Sequence, residues 1–183
     1  MIRALGTIHK PEEVITRSLL QSNLINHNFE FPVACFDGAT KADGQCCGVG
    51  GIIKLSNTLV HKWYLNCGIG SNTKAELLGA WATLHIANLL ALPKIQILGD
   101  SKVIIEWLND RSELRVTSLE GWKKRIKTLK NTFENTQFFH IYREYNQEAD
   151  SLSKQALKEP EGYITLHLWS DGVKGQRRLL KVY

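Results

Sequence analysis

Long apolar runs are missing from these 183 residues, and with them any stretch suited to crossing a membrane as a helix. The segment from Met1 to Pro11 has no apolar core of the kind a secretory leader needs, so the protein is expected inside the cell, in nucleus or cytoplasm, and not secreted. Cysteine is scarce: Cys35, Cys46, Cys47 and Cys67 are the full set, and none forms a C-x-x-C pair. That spacing argues against a zinc site and for free thiols in a reducing compartment. Repeats and low-complexity tracts are absent as well. Charge is not one-sided: 23 Lys and Arg against 18 Asp and Glu leave a net +5, an excess that suits a polyanionic partner without requiring one.

What is present is an ordinary globular mixture, 43% hydrophobic and 22% charged, on a chain long enough to bury a core without staples. Residues 1–30 read as an N-terminal extension with one weak amphipathic helix over 11–21. Residues 31–159 read as the main domain. Strands are predicted over 31–36, 47–55 and 59–66, joined by short loops as in an antiparallel meander. A helix over 73–91 is apolar on nearly every side, which predicts burial on more than one face, and Pro93 stops it. A strand over 94–99, helices over 101–109 and 119–133, a strand over 137–142 and a helix over 147–158 follow. This order predicts an α/β domain with a mixed sheet and helices on its faces. Residues 160–183 read as a basic tail with a candidate hairpin turning at Asp171-Gly172.

Four carboxylates stand out, and each has a local explanation. Asp37 precedes Gly38 as in a turn. Glu76 lies three residues after Thr73 as in a capping box. Asp100 stands where a helix N-cap would. Asp150 falls in a first helical turn, where the macrodipole favours an acid. Together they read differently. Three of them sit at a strand end or at the helix start after it, and in α/β sheets such ends gather along one edge. Converging carboxylates repel one another unless cations neutralise them. Hard oxygen ligands select Mg²⁺ or Mn²⁺, and two such ions serve phosphodiester hydrolysis.

The segments F-D-G-A (36–39), G-V-G-G-I-I (48–53), T-K-A-E-L (73–77), L-G-D-S (98–101) and N-Q-E-A-D-S-L-S (146–153) resemble, in order and spacing, the ribonuclease H type 1 family, in its plant and retrotransposon branch. The resemblance implies a five-stranded mixed sheet whose first three strands are antiparallel. It implies that Asp37, Glu76, Asp100 and Asp150 are catalytic and hold two Mg²⁺ ions, with Mn²⁺ as a substitute. It further implies an endonuclease that cuts the RNA strand of an RNA–DNA hybrid, leaving a 5′-phosphate and a 3′-hydroxyl, with a reverse transcriptase polymerase domain as a partner in the same or another chain. Substrate contacts would come from Gly38, Asp43, Ser71, Asn72, Thr73, Lys102 and Arg143, with Asn72 and the 71–76 backbone telling RNA from DNA through the 2′-hydroxyl.

Three departures stand beside that match. Asp43 occupies a position where many members carry Asn. The loop before Asp150, Arg143-Glu144-Tyr145-Asn146, lacks the histidine many members have; His140 precedes it inside a predicted strand and reads as structural. Only residues 111–118 are available for the basic protrusion of other members, which reduces the clamp on the DNA strand. Lys123, Lys124, Arg125, Lys127 and Lys130 follow, and Lys174, Arg177, Arg178 and Lys181 form a second basic cluster. Each group reads either as a phosphate track or as a solvated face. Trp122 reads as a core anchor. Two further functions fit the same fold: a binding module, derived from a retroelement, that keeps the acids without turnover, and an exonuclease or junction resolvase of the superfold.

Overall fold

The structure, a computed structural model, describes residues 31–183. The helix predicted over 11–21 lies outside them. Val33–Lys41 forms the first strand, β1, and it does not stop at Asp37. An Asp-Gly pair reads locally as a turn, but here both residues have ladder partners. Asp37 opposes Gly50 and Gly38 opposes Val49 on the antiparallel strand β2, Cys46–Lys54. The turn falls later, where Ala42, Asp43 and Gly44 all adopt positive φ. Strand β3, Leu59–Gly68, completes the meander.

Helix α1 spans Asn72–Leu89 and starts at Ser71, whose Oγ accepts from the Lys74 amide at 3.1 Å. Ser71, not Thr73, is therefore the cap, and Glu76 is free of the capping-box role that its spacing from Thr73 suggests. The chain continues through β4 (Lys94–Gly99), α2 (Lys102–Leu108), α3 (Glu120–Lys130), β5 (Asn135–His140) and α4 (Gln147–Ala156). Residues 109–116, between α2 and α3, form no helix.

Strands β6 (Tyr163–Ser170) and β7 (Val173–Lys181) form a hairpin that extends the sheet. The full order is β5-β4-β1-β2-β3-β6-β7, seven strands in place of the five that the sequence implies. Strands β4 and β5 run parallel to β1; the other pairs are antiparallel. The extra two strands arise because β6 finds the open edge of β3, from Leu59 opposite Ser170 to Leu65 opposite Ile164.

Helix α1 is apolar all round because it is enclosed, packing on β1 and β2 and against α2 and α3. Leu77, Leu78, Leu84 and Ile86 are fully buried, each contributing on the order of 1.5–3 kcal/mol. Trp122 reaches from α3 to meet the Trp81 ring edge-on, centroids 5.1 Å apart, so it anchors the core as its position predicts. The opposite face of the sheet carries α4 over a smaller cluster of Val33, Cys35, Ile52, Leu98, Ile141 and Ala149. Close approach of α4 depends on Gly50: a β-carbon there would stand 2.5 Å from the Leu152 carbonyl carbon. Among the described residues no helix is long and apolar enough to cross a membrane.

Candidate active site

Successive side chains on a strand alternate between faces. Gly38 faces α1, and a β-carbon on it would lie 2.8 Å from Ala75 Cβ and 2.9 Å from the Glu76 nitrogen. Glycine here lets the second turn of α1 settle onto β1, which brings Glu76 alongside Asp37. Asp37 turns the other way, toward α4, and is only 5% exposed. Asp100 enters from the end of β4, which lies parallel and adjacent to β1. Carboxylate oxygens of Asp37, Glu76 and Asp100 all lie within 4.8 Å of one another.

Asp150, in the first turn of α4, lies outside that tight group but lines the same open cleft of about 540 Å³. Its Oδ2 accepts from Lys154 Nζ at 2.8 Å, one helical turn on. Asp100 is not an N-cap, since the cap of α2 is Ser101. It is held from two sides instead. Buried Asn146 donates from Nδ2 to Asp100 Oδ2 at 3.2 Å and to the Phe36 carbonyl at 2.8 Å. His140, the last residue of β5, donates from Nε2 to the Asp100 backbone carbonyl at 3.1 Å.

Burial, then the Asp100 charge, pushes the Asp37 carboxyl up to about 7. Burial, then Asp37 and Asp100, pushes Glu76 up to about 9. Glu76 Oε2 is buried without a hydrogen-bond partner. An orphaned buried oxygen among three converging carboxylates is the environment a cation relieves. The donors are all hard oxygens, which suits Mg²⁺ or Mn²⁺ rather than a thiophilic metal.

The substrate-contact candidates divide between two places. Gly38, Asn72, Thr73 and Arg143 line the carboxylate cleft. Asp43 and Ser71 line an adjoining groove instead, and Asn72 borders both. The two loops around that groove are tied by the Gly70 amide donating to the Gly44 carbonyl at 2.9 Å. Thr40 Oγ1 donates to Asn72 Oδ1 at 2.7 Å, which fixes the asparagine between cleft and groove. Lys102, the first residue of α2, does not line the cleft, whereas its neighbours Ser101 and Val103 do. On α3, Lys123 and Lys130 spend their ammonium groups on the Leu114 and Leu108 carbonyls, at 2.6 Å and 2.7 Å, so these two close loop ends.

Asn146 and Lys154 were not singled out by sequence reasoning. Asn146 stands in a quoted motif, but before a helix an asparagine reads as a cap. Lys154 at i+4 from Asp150 is a detectable pair, although such pairs are common on helix surfaces.

A family profile described as "Reverse transcriptase-like" matches residues 35–156. Ribonuclease HI of Halobacterium salinarum is 25% identical over 127 residues, covering 69% of this chain and 64% of that protein. A protein of Arabidopsis thaliana named for ribonuclease H is 26% identical over 149 residues, 78% of this chain but 23% of its own length. The chain thus spans less than two thirds of either relative. The crystal structure of the halobacterial ribonuclease H1 superposes with a TM-score of 0.63 at 23% identity, over 70% of this chain and 98% of that one. The LC11 ribonuclease H1 in complex with an RNA/DNA hybrid superposes at 0.64 with 21% identity, over 69% and 96%. With its residues 35–156 matched and its sheet and helices shared with these enzymes, the chain belongs to the reverse-transcriptase-like family and has the ribonuclease H type 1 fold.

Proposed function

We propose that this domain is a metal-dependent endonuclease that hydrolyses the RNA strand of RNA–DNA hybrids. The observation that carries the proposal is the meeting of Asp37, Glu76 and Asp100 within 4.8 Å, at a cleft that Asp150 also lines. Four carboxylates brought together from four separate parts of the chain serve no packing purpose, and repulsion among them costs stability. Divalent ions held there, two Mg²⁺ or Mn²⁺, would supply Lewis acidity to activate a water and to neutralise charge on a leaving 3′-oxygen. Asp37, Glu76, Asp100 and Asp150 hold those ions.

The remaining residues orient and discriminate. Asn146 and His140 fix Asp100 from its side chain and its backbone. Asn72, held by Thr40, stands at the cleft margin where a 2′-hydroxyl contact would distinguish RNA from DNA. Arg143, exposed on the cleft rim, offers a charge to a phosphate. Hybrid as substrate is supported by the relatives named for ribonuclease H and by the hybrid-bound structure that shares this fold. Partnership with a polymerase domain is supported by the name of the matching family. Work in a reducing compartment is supported by the four free cysteines, three of them buried.

The test is cleavage of an end-labelled RNA–DNA hybrid in Mg²⁺ and in Mn²⁺, beside single-stranded RNA, duplex DNA and branched DNA. Hybrid-specific cutting should fall at least about 100-fold in Asp100→Asn while the melting curve stays cooperative. Folded wild-type protein that cuts none of the substrates in either metal would overturn the proposal. Preference for branched DNA would move it to the resolvase class.

A further inference from the structure

The β6–β7 hairpin lies beyond residue 156, where the family match ends, and the carboxylate chemistry gives it no task. Its outer strand β7 is exposed at every position but Leu180. That strand carries Lys174, Arg177, Arg178 and Lys181 and no acidic residue. None of the four makes an ion pair with a described residue.

The register sorts these charges by face, since directly opposed residues project to the same side. Lys174 opposes Trp169, Arg177 opposes His167 and Lys181 opposes Tyr163. One strand further in, His167 opposes Lys62. Lys174 and Arg177, three residues apart, share a face because the ladder slips between His167 and Trp169. Arg178 opposes Leu166 and falls on the other face, where its charge adds to the burial that lowers His61. Burial, followed by the charges of Lys174 and Arg177, lowers His167, as two uncompensated cations beside it would. Lys62 already has a partner in Glu148 of α4, at 2.7 Å, which also identifies this face as the α4 side of the sheet. Asp37 projects to that side too.

We propose that Lys174, Arg177 and Lys181 form a second nucleic-acid contact that grips the phosphate backbone outside the cutting cleft. At about 3.3 Å per residue the stripe is roughly 23 Å long. With about 3.4 Å of duplex axis per phosphate on one strand, it spans about seven phosphates. The same charges oppose pairing of the free β7 edge with a second copy, because two such strands would juxtapose like charges. A polyanion answers both the charge and the length. The contact is independent of whether the carboxylates cut.

The test uses the full chain in EDTA, so that no cutting occurs, with a fluorescent RNA–DNA hybrid of about two helical turns read by anisotropy. The triple variant K174Q/R177Q/K181Q should bind about tenfold or more weakly, with a slope of log affinity against log salt shallower by about 2 to 3. R178Q, on the opposite face, should bind within about twofold of wild type. Since the residues are exposed, the triple variant should melt like wild type; if it misfolds, the pair R177Q and R178Q decides by the same criterion. Equal hybrid binding by wild type and triple variant overturns the proposal, as does equal loss in R177Q and R178Q, which would mark a net-charge effect. Loss of binding to phosphatidylserine vesicles with hybrid binding intact would also overturn it and assign the face to membranes. Binding in EDTA needs neither metal nor cutting, so failure of the cleavage assay and failure of this contact are read separately.

Discussion

Asp37 and Glu76 come from a strand and a helix 39 positions apart in sequence, yet their carboxylate oxygens lie within 4.8 Å, and both hold protons well above the ordinary carboxylate range. Their folded values, about 7 and about 9, exceed those of an unfolded chain. Below about pH 4 both states bind these protons alike. As pH rises the unfolded chain releases them first, so stability falls, and the fall ends above the folded values. His61, His85 and His167, all lowered by burial, also change protonation with pH, so the informative quantity is the difference between wild type and Glu76→Gln. In EDTA the variant's stability relative to wild type should rise between about pH 4 and pH 9, by on the order of 2 kcal/mol. Mg²⁺ or Mn²⁺ should raise the wild-type melting temperature more at pH 8 than at pH 5. Melting curves that differ by a constant amount across pH would show that the repulsion is absent.

Gly38 gives a second prediction. A β-carbon at this position meets the Ala75 Cβ at 2.8 Å and the Ala75 and Glu76 backbone at 2.9 Å, so the helix backbone itself would have to shift. Gly38→Ala should cost about 1–3 kcal/mol through overpacking. It should also push the second turn of α1 off β1 and separate Glu76 from Asp37, lowering cleavage by about 100-fold. Thermal melts and kcat on a hybrid check both. A variant that melts lower but cuts normally would make Gly38 a packing residue without bearing on the site.

The order of the elements was legible because period and punctuation are local: alternation, Pro93 and the glycines each speak through near neighbours. Asp37-Gly38 misled because its turn chemistry is local too, while the pairing with Gly50 and Val49 that keeps it extended is not. Residues 163–183 suggested a hairpin, but nothing within them says that β6 would pair with β3. At the site, Asp37, Glu76 and Asp100 were candidates in the sequence and meet in the fold, but Asp37 lies within β1 and not at its end. His140 and Asn146 act on Asp100 across 40 and 46 positions, through bonds that no spacing rule records.

Asn146 carries the third prediction. Its side chain is 2% exposed and donates to both the Phe36 carbonyl and Asp100. Asn146→Ala removes both bonds and leaves two acceptors wanting donors, at a cost of about 1–3 kcal/mol. Asn146→Asp should be worse for activity than Ala, since it adds a carboxylate beside Asp100. Both variants should lower kcat more than they raise KM, because Asn146 does not line the cleft. A pure KM effect would place Asn146 at the substrate instead.

Lys154 carries the last. Its ammonium lies 2.8 Å from Asp150 Oδ2, with the lysine side chain 65% exposed and the aspartate 35%. An exposed pair one turn apart on a helix contributes only about 0.3–0.5 kcal/mol, so its loss should barely move the melting temperature. Its position matters more than its strength. Asp150 is not one of the three mutually close carboxylates but adjoins them through Asp37, and Lys154 is the cation bound to it inside the cleft. A divalent ion that coordinates Oδ2 competes with that ammonium for the carboxylate. Lys154→Met should therefore tighten Mn²⁺ binding several-fold in titration calorimetry without substrate, and cutting should saturate at lower metal concentration. Unchanged Mn²⁺ affinity would mean that Asp150 is already free to bind, and weaker affinity would mean that Lys154 positions the carboxylate rather than competing for it.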